Sequence, residues 1–230
     1  MTVVVDTEYG EATWVPDPEE LDEDATVLRY QELTEAVEAE ALPTSFYADM
    51  GLIYGKLEAL GNSIAVDAVP DVLRRAPDLA GRALRYVVEV AAESEPERAR
   101  AVFEAVLAPE RFSREFERLI ACHRALSLPR GDDGSLARRL DALALGDDHL
   151  LVRAKALVAW GRHSNPNDVS VIETFLQSAE PRWRAYAAFA AQEKDAPERD
   201  NLYGRWTGTS GELRELADEL KVNPIRWSKL

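Results

Sequence analysis

The sequence has few of the residues from which disulfides, metal sites and membrane spans are built. Cys122 is the single cysteine among 230 residues, so no internal disulfide can form, as expected in a reducing cytoplasm. Three histidines occur, and none has a metal-ligating residue at i+3 or i+4. No apolar run reaches the roughly 20 residues of a membrane span, and no secretory segment opens the chain. We therefore expect a cytoplasmic protein with no metal, cofactor or membrane contact.

Basic residues are also scarce, and their shortage is confined to one end of the chain. The 27 Lys and Arg residues face 42 Asp and Glu residues, which gives a net charge of −15. Residues 1–40 hold 13 of the acids and one base, Arg29, whereas residues 41–230 hold 29 acids and 26 bases. This nearly neutral body argues against a protein that binds nucleic acid through many phosphate contacts. Binding to nucleic acid stays possible only through a protein partner or through a local arginine patch. The candidate patches are Arg111, Arg114, Arg118 and Arg124, and Arg138 with Arg139.

The N-terminal residues differ in kind from the rest. Residues 3–5 and 13–15 are β-formers on either side of a turn, and they predict a small hairpin. Two prolines and a run of carboxylates at residues 16–25 predict an acidic linker. The predicted organisation is a hairpin and linker at 1–24 and an α-helical repeat domain at 25–230, with a candidate internal boundary near 129–135.

Apolar residues recur at helical spacing through this predicted domain, and prolines punctuate it as helix starters, where a missing N–H is tolerated. Helices of 10 to 18 residues joined by short turns favour an all-α fold. The apolar sets that we expect to face the core of the first two helices are Leu28, Leu33, Val37 and Leu42, then Phe46, Met50, Ile53, Tyr54, Leu57 and Leu60. The starting prolines are Pro70, Pro77, Pro96, Pro109, Pro181 and Pro197.

One helical phrase occurs twice, at residues 151–161 and 182–192. The two copies share an arginine, Arg153 or Arg184, and three alanines at an offset of 31 residues. Repetition at a fixed spacing indicates stacked supersecondary units, here helix pairs of about 31–35 residues, and nine or ten helices in all. The alanines would let neighbouring helices approach closely, and the matched arginines would make polar contacts between repeats.

The first copy resembles the second helix of HEAT-type repeats, in which an acidic turn precedes a V-R-x-x-A pattern. Asp147 and Asp148 precede Val152-Arg153-Ala154, and Gly161 closes the helix. The second copy departs from this pattern, since Gln192 stands in place of the glycine. The resemblance implies an α-solenoid of HEAT-like helix pairs.

Aromatic and arginine residues are concentrated at the C-terminal end. They either close the open end of the repeats or form an interface, because Trp, Tyr and Arg are enriched at binding hot spots. The patterns Pro-Arg-Trp-Arg-Ala-Tyr (181–186), Leu-Tyr-Gly-Arg-Trp (202–206) and Pro-Ile-Arg-Trp (224–227) resemble the helical-repeat tail of bacterial defence-type RNA-directed DNA polymerases. The candidate interface residues are Trp183, Arg184, Tyr186, Tyr203, Arg205, Trp206 and Trp227.

No residue set predicts catalysis. Tyr47-Ala48-Asp49-Met50 has one carboxylate where the Tyr-x-Asp-Asp box of reverse transcriptases has two, so it lacks the polymerase metal-binding pair. The resemblance therefore implies a non-catalytic interaction module with a protein partner. The module would be either the accessory C-terminal region of a bacterial reverse transcriptase or a separate partner of one.

Two alternatives remain open. HEAT-like DNA glycosylases acting on alkylated bases are all-helical proteins of this length, and Trp160 and Trp183 would line their groove, although no catalytic aspartate is matched. In the other alternative, the acidic residues 1–24 cover a basic surface of this chain or of a partner.

Overall fold

The computed structural model describes residues 4–7, 10–13, 21–108, 115–131 and 134–194. The chain divides into two compact units, Met1–Gly131 and Asp132–Leu230. Helices dominate the described ranges, so the predicted all-α class is confirmed. Two four-residue strands, β1 (Val4–Thr7) and β2 (Gly10–Thr13), pair antiparallel, with Val4 opposite Thr13 and Thr7 opposite Gly10.

Ten α-helices lie within the described ranges. In the first unit they are α1 (Glu23–Glu38), α2 (Phe46–Leu60), α3 (Val69–Arg75), α4 (Ala80–Ala91), α5 (Pro96–Val106) and α6 (Glu115–Ala125). In the second unit they are α7 (Ser135–Gly146), α8 (Leu150–His163), α9 (Ser170–Leu176) and α10 (Pro181–Gln192).

Prolines begin several of these helices, as predicted. Pro96 and Pro181 are the first residues of α5 and α10, and Pro70 is the second residue of α3. Pro77 opens a short 3-10 helix that leads into α4. Each of these prolines therefore occupies a first-turn position, where no intrahelical N–H bond is lost. Pro109 and Pro197 lie outside the described residues.

The core of the first unit lies between α1, α2 and the helices that follow. Tyr30, Leu33 and Val37 form the buried stripe of α1, while Leu28 is 58% exposed. The prediction for Leu28 was wrong because five residues separate it from Leu33, which rotates it about 140° away from that stripe. Leu42 and Leu60 were also predicted to face the core and are 37% and 42% exposed; Leu42 lies beyond the end of α1, and Leu60 lies in the last turn of α2. The remaining members of the predicted α2 face, Phe46, Met50, Ile53, Tyr54 and Leu57, are buried.

Helix neighbours in the first unit follow an alternating pattern. The even-numbered helices α2, α4 and α6 contact one another in sequence, and so do the odd-numbered helices α1, α3 and α5. Each odd helix also contacts the even helix that follows it. In the second unit, α7 packs on α8, α9 packs on α10, and α8 contacts α10.

The contact between α8 and α10 is close because small residues line it. Ala156, Ala159, Ala187 and Ala190 are all fully buried. A Cβ atom on Gly161 would lie 2.0 Å from the carbonyl oxygen of Ala190. Gly161 was predicted to close its helix, but α8 continues to His163. The glycine is needed for the approach of the neighbouring backbone and does not terminate the helix.

Candidate functional site

Three of the predicted interface residues lie on α10. Trp183 is 6% exposed, whereas Arg184 and Tyr186 are half-buried. Trp183 is therefore a core residue of the second unit, and Tyr186 is the more accessible of the two aromatic residues. The other four predicted interface residues, Tyr203, Arg205, Trp206 and Trp227, lie outside the described residues.

The Trp183 ring belongs to an aromatic cluster that holds an arginine. Its centroid lies 4.9 Å from that of Phe175 on α9 and 5.8 Å from that of Tyr186. The guanidinium carbon of Arg153, on α8, lies 4.8 Å from the Trp183 centroid and 5.7 Å from the Phe175 centroid. Such cation–π contacts contribute about 0.5–2 kcal/mol each, depending on desolvation. Arg153 therefore links α8 to both helices of the following pair.

Arg153 is held from a third direction by α7. Its Nε–H donates to the carbonyl oxygen of Ala144 at 3.0 Å. Ala144 lies in the last turn of α7, where carbonyl oxygens lack intrahelical donors and carry the negative end of the helix dipole. This bond and the two ring contacts together fix the plane of the guanidinium.

The two Nη groups of Arg153 have a different environment from its Nε group. Within the described residues no hydrogen-bond acceptor or carboxylate lies within bonding distance of either Nη group. Neither Nη nitrogen is bonded to a described residue, and neither is buried, so both are in contact with solvent. The guanidinium group of Arg153 is thus fixed in orientation, while its Nη edge faces solvent and has no carboxylate partner among the described residues.

Arg184 occupies the matched position in the second copy and makes a related contact. Its Nη1 group donates to the carbonyl oxygens of Ser178 at 2.8 Å and Ala179 at 3.3 Å, in the turn after α9. Both matched arginines therefore bind carbonyl oxygens at the end of the first helix of their own pair. Arg153 makes the predicted contact between repeats, through its aromatic neighbours on α9 and α10.

Lys194 is a buried cation that the sequence analysis did not single out. Its side chain is enclosed, with the residue 3% exposed, and Nζ donates to Ser164 Oγ at 2.5 Å. The same ammonium donates to the carbonyl oxygens of Asn165 at 2.8 Å and Asp168 at 2.7 Å. It also lies 4.7 Å from the Trp160 ring centroid. Lys194 therefore holds the α8–α9 loop together through three hydrogen bonds from one ammonium group. In the sequence, Lys194 stands out only as one of five lysines.

The carboxylate of the predicted Tyr47–Met50 segment is engaged in a structural ion pair. Asp49 is 1% exposed, and one of its oxygens accepts hydrogen bonds from Arg29 of α1 and from Ser45 Oγ. Burial of a carboxylate is tolerated when it is paired and hydrogen-bonded in this way. Asp49 therefore joins α1 to α2. The sequence indicated its helical setting but not its partner.

Two glutamates on neighbouring helices share one arginine. Arg85 of α4 contacts Glu58 of α2 at 3.0 Å and Glu89 at 2.8 Å. Burial and the adjacent Glu89 carboxylate raise the pKa of Glu58, whereas hydrogen bonds from Arg85 and Glu58 lower the pKa of Glu89. Opposite shifts in one pair indicate that Glu58 takes up a proton before Glu89 as the pH falls.

The other candidate groups are dispersed. His123 lies on α6, His149 immediately precedes α8 and His163 is its last residue, while Cys122 is fully buried. In the ranges described above, no three His, Cys, Asp or Glu side chains are grouped closely enough to hold a metal ion. Burial lowers the pKa of Lys155, on α8, to about 8. The described part of the chain also contains no helix with the length and apolar character needed to cross a bilayer.

The predicted arginine patches are only partly described. Arg118 and Arg124 are half-buried on α6, and Arg124 acts on Glu89, lowering its pKa after larger effects from Arg85 and Glu58. Arg138 and Arg139 are exposed on α7. Arg111 and Arg114 lie outside the described residues.

The glycosylase alternative required Trp160 and Trp183 to line an open groove. Trp160 is 2% exposed and is covered by the ammonium of Lys194, and Trp183 is covered by Arg153. Neither ring is available to stack on a base in this structure.

Comparison with known proteins identifies no relative. No protein-family model, no curated protein sequence and no solved structure matches this chain.

Proposed function

We propose that this chain is a non-catalytic helical-repeat module, an α-solenoid of HEAT-like helix pairs that binds a protein partner. The observation that carries the proposal is the order of helix neighbours. Each helix packs on its partner in a pair, and the second helices of consecutive pairs, α2, α4 and α6 or α8 and α10, pack on one another. This is the arrangement in which each repeat contacts only its neighbours and the stack displays extended binding surfaces.

The spacing of the helices supports the same architecture. The second helices α2, α4 and α6 begin at residues 46, 80 and 115, and α8 and α10 begin at residues 150 and 181. The steps agree with helix pairs of 31–35 residues. Paired β1 and β2 precede the repeats as a small N-terminal hairpin in this proposal, followed by the acidic linker.

We infer the class of partner from the C-terminal patterns at 181–186, 202–206 and 224–227. Their resemblance to the tail of bacterial defence-type reverse transcriptases makes such a polymerase the proposed partner, with this chain as its accessory region. Tyr186 supports this use of the surface, because it is the accessible edge of the cluster around Trp183, next to Arg184. Tyrosine and arginine beside a rigid aromatic cluster are typical of binding hot spots.

The test is affinity capture with the full chain, tagged and expressed in the organism that encodes it. We expect a reverse transcriptase in stoichiometric amount. Tyr186→Ala should weaken its capture at least about 10-fold, since truncating a hot-spot tyrosine typically removes 2 kcal/mol or more. Tyr47→Ala is the matched control, because Tyr47 is a 44% exposed tyrosine in the first unit.

Recovery of no protein partner would overturn the proposal as a whole. Recovery of a partner that is not a polymerase would overturn the polymerase assignment and retain the interaction module. Equal loss in the Tyr47→Ala and Tyr186→Ala variants would show that the α10 surface has no special part in binding.

A further inference from the structure

Arg153 differs from four described arginines that form close ion pairs. Arg29, Arg75, Arg85 and Arg98 each have a carboxylate within 3.0 Å. Arg153 instead binds one neutral carbonyl oxygen through Nε and lies over two aromatic rings, with no carboxylate within ion-pair distance in the described ranges. Its positive charge is therefore not neutralised by the part of the protein that is described.

The orientation of the guanidinium determines what it can bind. Ala144 occupies the Nε edge, and the rings of Phe175 and Trp183, whose centroids lie 4.9 Å apart, lie on the same side of the guanidinium. The Nη1–Nη2 edge is left to solvent. Two parallel N–H groups in a fixed plane match the two oxygens of a carboxylate. Because the plane is already fixed, binding at this edge loses little side-chain entropy.

We propose that the Nη edge of Arg153 is a binding point for a carboxylate of the protein partner, either a side chain or a chain terminus. This inference rests on the proposed function for its ligand, since the partner would supply the carboxylate. The chain carries a net charge of −15, which penalises a polyanion such as a nucleic-acid backbone more than a single carboxylate. The bidentate geometry adds specificity for a planar oxyanion.

The matched position in the second copy provides an internal control. Arg184 engages Nη1 with the carbonyl oxygens of Ser178 and Ala179, so its terminal edge is already bonded. Arg153→Lys and Arg184→Lys each keep the charge and remove one guanidinium fork. The site predicts that only the first variant changes carboxylate binding.

The direct test uses acetate and the full-length protein. The Arg153 Nε–H signal is assigned by NMR as the resonance that is absent in Arg153→Lys, and it is followed during titration with sodium acetate. We expect a saturable shift with a dissociation constant on the order of 10 mM, as one charge-assisted pair supports. The same shift should persist in Arg184→Lys, and sodium chloride at equal ionic strength should not reproduce it.

Three results would overturn the inference. They are a shift that does not saturate, a shift that chloride reproduces equally, and a saturable shift with inorganic phosphate but none with acetate. Circular dichroism of both lysine variants checks that their folds are intact. If Arg153→Lys fails to fold, the signal is assigned in the wild-type chain from its nuclear Overhauser contacts with Ala144, whose carbonyl oxygen lies 3.0 Å from Nε, and the titration is read as before.

Partner capture separates this inference from the proposed function. If a partner is captured, Arg153→Lys should reduce its affinity at least about 10-fold, while Arg184→Lys should leave it within about 3-fold. Equal affinity of the two variants would refute the role of Arg153 and retain the interaction module. If the wild-type chain captures no partner, the proposed function fails, and acetate binding still decides whether the Nη edge takes a carboxylate.

Discussion

Replacing Gly161 by alanine tests whether α8 and α10 are as close as their small residues indicate. The added Cβ would lie 2.0 Å from the Ala190 carbonyl oxygen, 2.7 Å from its carbon and 2.9 Å from its Cα. A Cβ atom essentially never lies within 3.0 Å of a heavy atom on a neighbouring element, so the backbones must separate by about 1 Å. All three contacts are with backbone atoms, so no side-chain rotation can relieve them.

Two opposite effects determine how much Gly161→Ala changes the free energy of unfolding. Alanine is favoured over glycine in a helix interior by about 1 kcal/mol. Overpacking of a close contact typically destabilises by about 1–3 kcal/mol, and a gap of 0.5–1 Å forfeits about a quarter to a half of each dispersion contact it opens. Because the clash is with backbone on both helices, we place the packing loss at the upper end. The net effect of Gly161→Ala should be a loss of about 1–2 kcal/mol, or a decrease in Tm of about 2–8 °C.

Gly51→Ala is the matched control, because Gly51 lies inside α2 with no heavy atom within 4 Å of an added Cβ. Helix propensity alone acts there, so this variant should gain about 0.5–1 kcal/mol. Urea and thermal unfolding followed by circular dichroism at 222 nm measure both variants. If Gly161→Ala is as stable as the wild type or more stable, the close approach of α8 and α10 is not a determinant of stability, and the argument from Gly161 fails.

Three further predictions concern single side chains. Asp49→Ala should lower the free energy of unfolding by about 2–4 kcal/mol in urea melts, because it leaves the half-buried Arg29 without its buried carboxylate. Glu32→Ala removes the exposed partner of the same arginine and should change the free energy of unfolding by less than about 1 kcal/mol. Glu40 has φ 57°, so Glu40→Gly should raise Tm in 1 M salt, where the exposed ion pair with Arg75 is screened; a lower Tm there would contradict this. Lys155 titrates near pH 8 in the native chain against 10.5 ordinarily, so lowering the pH across that window favours the unfolded chain, and Lys155→Met should abolish this loss of stability.

The features that sequence could predict are those encoded by local periodicity. Pro96 and Pro181 begin helices because a fixed φ and a missing N–H are compatible only with the first turn. The α2 face from Phe46 to Leu57 is buried because its apolar residues keep helical spacing. Leu60, the last residue of α2, departs from it and is 42% exposed, since helical spacing alone does not indicate which positions a neighbouring element covers.

The features that sequence could not predict depend on contacts distant in the chain. Gly161 was predicted to end its helix because glycine is common after helix ends. A glycine is required there for a different reason, because the backbone of Ala190 leaves no room for a Cβ atom. Lys194 forms no local motif, and its acceptors lie 26 to 30 residues earlier. The partner of Asp49 is Arg29, 20 residues away on another helix, and nothing in the Tyr47–Met50 segment indicates it.

The two matched arginines show why a repeat predicts position better than chemistry. In each helix pair, the arginine lies in the first turns of the second helix, close to the end of the first helix. Arg153 and Arg184 can therefore both reach a carbonyl oxygen there. The α9 helix ends at Leu176, and the turn carbonyls beyond it meet the terminal Nη1 of Arg184. In the other pair the acceptor is Ala144, within the last turn of α7, and Arg153 bonds it through Nε while its guanidinium lies over the Trp183 ring of the next pair. The two arginines therefore differ in the nitrogen that binds the carbonyl oxygen. The Nε bond leaves the Nη edge of Arg153 open, and this makes Arg153 the better candidate for recognition.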